Sequence, residues 1–203
     1  LYANTTGTGN AGFGGYDNGA AASLRYNTTG SNNSAFGVSS LTNNTTGNNN
    51  TAVGYGSLYS NTIGTRVVAL GYQAAYNNTI GTPIDAFGYQ TLRANTTGTA
   101  NAAFGTQSLY ANTTGTENTV VGTNGAGGAN TTGQQNSAFG GYSFKSNTTG
   151  SYNTALGHSA LFNNTTASYN TAVGYQAAYS NTTGVNNTAI GYLALRTNIT
   201  NGY

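Results

Sequence analysis

The sequence predicts an all-β fold, a parallel β-solenoid or β-roll in which each coil is one seventeen-residue repeat. The first observation is the period itself, which is short and regular along the whole chain. Repeats begin at Asn4, Asn27, Asn44, Asn61, Asn78, Asn95, Asn112, Asn130, Asn147, Asn164 and Asn181, and a partial one begins at Asn198. Such a period indicates stacked coils that contact only their neighbours. We interpret residues 1–203 as a single array, and as a fragment of a longer fibre.

The second observation is the content of the repeat. Its consensus is Asn-Thr-Thr-Gly-x-x-Asn-Thr-Ala-φ-Gly-Tyr-x-Ala/Ser-Leu-x-x, where φ is Val, Leu, Ile or Phe, and its positions are numbered 1 to 17 below. Helical repeats need about 33 residues or more, and this β-branched, glycine-punctuated sequence has poor helix propensity. We expect two short strands in each repeat, at positions 6–10 and 12–16, each ended by a glycine-bearing turn.

The third observation is an unvarying glycine at position 11. Its eleven copies are Gly14, Gly37, Gly54, Gly71, Gly88, Gly105, Gly122, Gly140, Gly157, Gly174 and Gly191. A position that never accepts a Cβ is predicted to need positive φ or very close backbone approach at a corner of the coil. Position 4 is nearly as regular, with Ala167 as its exception.

Differences between repeats predict a buried ladder of amides. Position 3 changes from Thr to Ile63 and Ile80 in the two repeats where position 7 changes from Asn to Val67 and Ile84. The paired exchange predicts that positions 3 and 7 touch and that both lie away from water. Buried amides need partners, so we expect each position-7 Asn to bond the next coil. These residues are Asn33, Asn50, Asn101, Asn118, Asn136, Asn153, Asn170 and Asn187.

Position 10 always carries a large apolar side chain beside a small residue, usually Ala, at position 9. The position-10 residues are Phe13, Phe36, Val53, Leu70, Phe87, Phe104, Val121, Phe139, Leu156, Val173 and Ile190. Neighbours on a strand face opposite sides, so the strand is predicted to be covered on both faces. Few apolar side chains per repeat must offset a backbone entropy of roughly 1–2 kcal/mol per residue. We therefore expect sister chains to supply the missing burial in a homotrimer.

The repeats also resemble a known family. Residues 153–160, 170–177 and 187–192, which read Asn-Thr-Ala-φ-Gly followed by His or Tyr, are similar to the head repeat of trimeric autotransporter adhesins of the YadA type and to related tail-fibre-like repeat proteins. This resemblance implies a left-handed parallel β-roll of three chains used for attachment to surfaces. Two departures are a period of seventeen where the family has fourteen, and a chain without neck, stalk or anchor. The additional Asn-Thr-Thr-Gly is expected to enlarge one loop per coil.

Position 16 collects long amphipathic side chains and is the candidate surface-contact row. Its members are Arg25, Tyr59, Tyr76, Arg93, Tyr110, Lys145, Phe162, Tyr179 and Arg196. Four of the five basic residues of the chain lie here. The row is interpreted either as an exposed stripe that grips a ligand, a glycan or another filament, or as a solvated or intersubunit ladder.

The Asn-Thr-Thr segment also matches the N-glycosylation acceptor pattern. The candidate sites are Asn4, Asn27, Asn44, Asn95, Asn112, Asn130, Asn147, Asn164, Asn181 and Asn198. The alternative is that Asn and Thr stabilise a turn before Gly through bonds from side chain to backbone.

Charge and residue content argue against several functional classes. The net charge of +2 gives no footprint for nucleic acid, and no apolar run approaches the roughly 20 residues of a membrane span. Cysteine is absent, and the three acidic residues fall in different repeats. The single histidine, His158, takes the place of a Tyr in other repeats, so we predict no catalysis, cofactor or metal site. Two repeats are irregular: the first is six residues longer, around residues 15–22, and the seventh has one additional residue and no Leu, around residues 123–128. Such insertions are expected to lie on an exposed face.

These observations predict a structural extracellular fibre or adhesin segment on a cell surface or a virion, giving rigid reach and multivalent attachment. The expected partners are other copies of the chain and a host or environmental surface, matrix protein or glycan, with neither nucleic acid nor membrane insertion. A phage tail-fibre shaft and a polymerising, glycosylated extracellular filament are the alternatives. An ice-binding solenoid fits less well, because adjacent Thr5 and Thr6 point opposite ways in an extended chain.

Overall fold

The described residues, 3–15 and 21–197 of a computed structural model, form a parallel β-solenoid, which confirms the predicted fold class. One short strand from each repeat joins a single eleven-stranded sheet in chain order. The strands are β1 (Ala11–Phe13), β2 (Ser34–Phe36), β3 (Thr51–Val53), β4 (Val67–Leu70), β5 (Ile84–Phe87), β6 (Asn101–Phe104), β7 (Thr119–Val121), β8 (Ser137–Phe139), β9 (Thr154–Leu156), β10 (Thr171–Val173) and β11 (Thr188–Ile190). Equivalent repeat positions pair directly, so that Val53 lies beside Leu70.

The second predicted strand is wrong, because positions 12–16 form consecutive turns in the described coils. The reason is two left-handed residues per coil, such as Gln73 at φ 52° and Ala75 at φ 48°, which an extended strand cannot contain. These turns still bond to neighbouring coils. Gln73 N–H donates to the Tyr55 carbonyl behind it at 2.9 Å, and Ala75 N–H donates to the Thr91 carbonyl ahead at 2.9 Å.

The interior of the coil is narrow and mostly filled by small side chains. Position 9 supplies buried alanines such as Ala69 and Ala86, and position 15 supplies buried leucines such as Leu58 and Leu92. Most of the buried polar residues are asparagines, and no buried side-chain N or O atom of the described part lacks a hydrogen-bond partner. The core therefore combines apolar packing with hydrogen-bonded polar side chains, chiefly asparagine amides.

The predicted amide ladder at position 7 is confirmed. Asn118 Nδ2 donates to Asn101 Oδ1 at 3.1 Å and to the Gly133 carbonyl at 2.9 Å, and its backbone N–H donates to the same Asn101 oxygen at 3.0 Å. Val67 and Ile84 occupy this position in two coils and are fully buried. They replace the amides with dry packing, as expected.

A second amide ladder runs along position 1. Asn95 Nδ2 donates to Asn78 Oδ1 at 2.8 Å and to the carbonyl of Gly98 in its own coil at 3.0 Å. The same pair of bonds recurs in each of the described coils from Asn27 to Asn181. The additional Asn-Thr-Thr-Gly is thus part of the coil wall and not the enlarged loop that was expected.

Position 3 corrects another expectation, because it faces water. Ile63 is 54% exposed and Ile80 is 45% exposed, although their partners in the paired exchange at position 7 are buried. In the Asn-Thr-Thr segment the buried residue is the asparagine at position 1 of the repeat, whose side-chain amide lies inside the coil. Positions 3 and 7 therefore changed together without both lying away from water.

The corner glycine of position 11 has both features predicted from the sequence, a positive φ in most copies and a close approach to the backbone of the next coil. Nine of its copies have φ between 115° and 139°. A Cβ added to Gly140, at φ 131°, would lie 2.6 Å from the Gly157 carbonyl oxygen of the next coil. Neither the torsion angle nor the space accepts a side chain, which explains why glycine recurs in every repeat.

Replacement of a corner glycine should destabilise the fold sharply. We expect Gly140→Ala to lower the free energy of unfolding by about 2 kcal/mol or more, because it combines an unfavourable φ with a backbone clash. The control is Gly15→Ala, since a Cβ at Gly15 meets nothing within 4 Å. Urea unfolding of both variants measures the difference, and equal midpoints would contradict the corner assignment.

Loss of one rung of the position-1 ladder should also be costly. Asn112→Ala removes the hydrogen-bond partners of Asn95 Oδ1 and of Asn130 Nδ2 inside the core. We expect a loss of roughly 2–4 kcal/mol in the free energy of unfolding. Thr114→Ala, at an exposed position of the same coil, should change it by less than about 0.5 kcal/mol. Similar losses for the two variants would show that the ladder does not hold the coils together.

Candidate surface-contact rows

The strand turns its large apolar side chains outward. Ala at position 9 faces the interior, so the adjacent position 10 faces away from it. The exposed members range from 37% for Val53 to 69% for Ile190, and Leu70, Phe87 and Val173 are half-buried. Equivalent rings stack between coils, with centroids 4.6 Å apart for Phe87 and Phe104. We call the eleven position-10 side chains the apolar row. This chain covers the inner face of its sheet but not this outer one.

Position 12 carries exposed tyrosines that stack in two runs, Tyr55 to Tyr89 and Tyr175 to Tyr192. Tyr72 stacks on Tyr55 at 5.5 Å and on Tyr89 at 5.4 Å. His158 takes the same place in its coil, with its ring 5.7 Å from that of Tyr175. Its Nδ1 lies 3.0 Å from Ser159 Oγ, the side chain of the adjacent residue. The histidine therefore belongs to a stacked surface row, as its place in the repeat predicted.

The predicted position-16 residues do come together in a row, which we call the contact row. Most of its side chains are half-buried, whereas Arg196 is exposed. Tyr59 stacks on Tyr76 at 5.0 Å, and Phe162 stacks on Tyr179 at 5.0 Å. The residues of this row thus contact one another from coil to coil.

The cations of the contact row lie over aromatic rings, both of this row and of position 13. The Arg93 guanidinium is 5.5 Å from the Tyr76 ring and 5.9 Å from the Tyr110 ring, so it lies between two aromatic rungs. Lys145 Nζ lies 4.6 Å from the Tyr142 ring. Such contacts contribute on the order of 0.5–1 kcal/mol each at exposed sites. They orient long side chains that would otherwise be free to rotate.

A glutamine row at position 13 runs beside the contact row, and the sequence analysis missed it. Gln90 Nε2 donates to Gln73 Oε1 at 3.1 Å, and Gln107 Nε2 donates to Gln90 Oε1 at 3.2 Å. Arg93 Nε also donates to Gln73 Oε1 at 3.0 Å, which ties the two rows together. The signal in the sequence was the recurrence of Gln at one repeat position in consecutive coils.

The contact row is interrupted where position 16 is small. Thr42 and Gly128 are the two small residues, and a cleft opens beside each place. The cleft at Gly128 has a volume of about 280 Å³. It is lined by Gln107, Tyr110, Asn124, Gly125, Gly128, Ala129 and Lys145. Thr123 and Asn124 of the seventh repeat are exposed, whereas residues 125–127 are buried in the coil, so only part of this segment lies on the surface. Residues 16–20 of the first irregular repeat lie outside the described part.

The acceptor asparagines of the Asn-Thr-Thr segments are inside the coil. Eight of them are completely buried, with both amide hydrogens bonded as described for Asn95. They are Asn27, Asn44, Asn95, Asn112, Asn130, Asn147, Asn164 and Asn181. A sugar on Nδ2 has no room there, so the folded chain is incompatible with glycosylation at these positions. Asn4 is exposed, and Asn198 lies outside the described residues.

Acidic groups do not converge in the described residues. Asp85 and Glu117 are exposed on different coils, and Glu117 accepts a hydrogen bond from Gln135 Nε2 at 2.8 Å. Asp17 lies outside the described part. No group of three His, Cys, Asp or Glu side chains that could hold a metal ion was found in residues 3–15 and 21–197. The same ranges contain no helix with the length and apolarity of a membrane span.

In comparisons with protein-family models, curated proteins and solved structures, nothing matches this chain. The surface rows must therefore be interpreted from their own geometry.

One tyrosine of the contact row titrates abnormally. Burial is the main cause that raises the pKa of Tyr76 above its ordinary 10.0, and the neighbouring Tyr59 and Tyr55 raise it further, against a smaller opposing effect of Arg93. The folded state therefore holds this proton more tightly than the unfolded state. The resulting stability is complete below pH 10 and is lost as the pH rises through the raised pKa of the folded state.

Stability above pH 10 should accordingly depend on this hydroxyl. We expect the urea midpoint of the wild type to fall more steeply between about pH 10 and 12 than that of Tyr76→Phe, which has no phenol to ionise. Tyr192→Phe, at a side chain 76% exposed, should keep the wild-type slope. The same slope in all three proteins would contradict a special role for Tyr76.

Proposed function

We propose that this chain is a segment of a rigid extracellular fibre or adhesin that assembles as a homotrimer through its apolar row. The observation that carries this proposal is the exposure of a large apolar side chain on nearly every coil. Single exposed apolar residues are ordinary, but a continuous exposed patch along a rod marks an interaction surface.

The shape of the apolar row fits another copy of the same chain. Its rings are aligned at the coil spacing, as in the pairs Phe13 with Phe36 at 5.1 Å and Phe87 with Phe104 at 4.6 Å. An identical rod has the same spacing, so every coil can meet an equivalent coil without loss of register. The number of chains in the assembly, three, and the left-handed sense of the coil are taken from the resemblance to YadA-type heads.

Rigid reach follows from the bonding between coils. Backbone groups at strand and turn positions alike pair with the adjacent coil, and the two amide ladders join the coils inside. A trimer of such rods carries three copies of the contact row, each repeated along its length. Repeated weak contacts with a host or environmental surface, a matrix protein or a glycan then add up to strong attachment. The location that suits this work is a cell surface or a virion fibre.

The test is the mass in solution of a variant with charges in the apolar row. Because these side chains are exposed in the single chain, lysine should be tolerated within each coil. The variant combines Phe104→Lys, Val121→Lys, Phe139→Lys and Leu156→Lys. The control places lysines at exposed position 3 of the same coils, and combines Thr97→Lys, Thr114→Lys, Thr132→Lys and Thr149→Lys.

Light scattering should give three times the chain mass of 20.5 kDa for the wild type and the control, and one chain mass for the apolar-row variant. Circular dichroism verifies that each protein is folded. A wild type that is monomeric at all concentrations would contradict the proposal. Mass that grows without limit as the concentration rises would favour a polymerising filament instead.

A further inference from the structure

We propose that the cleft at Gly128 binds one pyranose ring of a glycan, with the sugar ring in the place of the absent side chain of the contact row. The site deepens the adhesive role proposed above and rests on it, but it uses no residue of the apolar row and does not require the trimer.

The gap has the size of one ring. Ala111 N–H donates to the Gly128 carbonyl at 3.0 Å and Ala129 N–H donates to the Lys145 carbonyl at 3.1 Å, which fixes Gly128 in the coil between Tyr110 and Lys145. These two residues are therefore about 10 Å apart, or two strand spacings. Rings elsewhere in the row stack at 5.0 Å, so one additional ring fits midway.

The insertion explains why the gap exists. The additional residue in this repeat brings the Gly125 carbonyl oxygen to 2.8 Å from the position that a Cβ of Gly128 would occupy. A side chain at position 16 is thereby excluded, and the cleft opens instead. Gly125 itself has a positive φ of 73°, and a Cβ there would meet only the Gln107 carbonyl at 4.0 Å. The cleft is thus formed by the backbone conformation of this one coil.

The walls suit a sugar ring better than a wholly apolar group. Arg93 lies over the Tyr110 ring from one neighbouring coil, and the coil on the other side has only Gly128. An aromatic face is a stacking surface for the C–H groups of a pyranose. The glutamine row reaches Gln107 and is followed by the shorter Asn124, and both residues line the cleft. Amides at the edge can exchange hydrogen bonds with the hydroxyls of a sugar.

Lysine at the rim sets a preference for an acidic sugar. Lys145 lines the cleft, and no carboxylate is among the lining residues. Its ammonium is held near the Tyr142 and Phe162 rings, at 4.6 and 5.9 Å. A carboxylate on the bound ring would complete a charge-assisted hydrogen bond with it. The volume of about 280 Å³ admits one monosaccharide unit and not a longer oligosaccharide. The ligand class is a hexuronic acid unit within a glycan.

The experiment titrates the full chain with oligosaccharides and follows binding by calorimetry. The probes are a tetrasaccharide that contains glucuronic acid, a neutral glucose tetrasaccharide and N-acetyltyrosinamide. We expect the wild type to bind the acidic sugar most tightly. Tyr110→Ala should weaken that binding about tenfold through loss of stacking, and Tyr110→Phe should restore it. Lys145→Gln should reduce the affinity for the acidic sugar to that for the neutral one.

Tyr169→Ala is the control, since Tyr169 is an exposed tyrosine outside the contact row and does not line the cleft. It should bind the acidic sugar like the wild type. Absence of sugar binding, an equal loss in Tyr169→Ala, equal affinity for neutral and acidic sugars, or tighter binding of N-acetyltyrosinamide would overturn the proposal. Light scattering on the same samples reports the trimer separately, so failure of this site is distinguishable from failure of the proposed assembly.

Discussion

The buried asparagine amides are the interaction on which the rest of the structure depends. An amide carries both a donor and an acceptor on a short stem, so each rung can accept from one coil and donate to the other. In the position-7 ladder the Asn101 oxygen accepts from both the side chain and the backbone of Asn118. Aspartate would have no hydrogen to donate, and the additional methylene of glutamine has no space in a narrow core. The ladder therefore requires the asparagines of successive coils to lie directly above one another.

That alignment creates the outer surface. Once equivalent positions lie above one another, each outward residue type becomes a row, and the rows differ only in chemistry. Position 10 gives an apolar ridge, position 12 short stacks of tyrosine, and position 16 a mixed row of aromatic rings and cations. A local change in repeat length, as at Gly125, interrupts several rows at once without breaking the ladders inside. The rod thus combines a uniform interior with a surface that can carry a local site.

Much of the architecture could be predicted because the repeats act as an internal comparison. The exchange of Asn for Val67 and Ile84 indicated a buried position, and the unvarying corner glycine indicated a constrained turn. The position-1 ladder was missed because its asparagine never changes, so no exchange marks it as buried, and its sequence also reads as a glycosylation site. The second strand was predicted wrongly because residues such as Leu58, at φ 53°, adopt a left-handed conformation. Leucine rarely adopts this conformation, so its presence in the sequence does not predict it. The cleft at Gly128 needed the structure, since the lost leucine and the additional residue showed only that the repeat was irregular.

The most direct test of the account is the hydrogen exchange of the asparagine side-chain amides, followed by NMR on isotope-labelled protein in heavy water. Side-chain amides in contact with water exchange quickly, whereas rungs bonded on both sides inside the coil can exchange only when coils separate. If the ladders hold the coils together, a set of Asn Nδ2 resonances persists as long as the most protected backbone amides of the strands. Loss of all Asn side-chain signals within minutes, while the strand amides remain, would contradict the amide ladders as the element that holds the coils together.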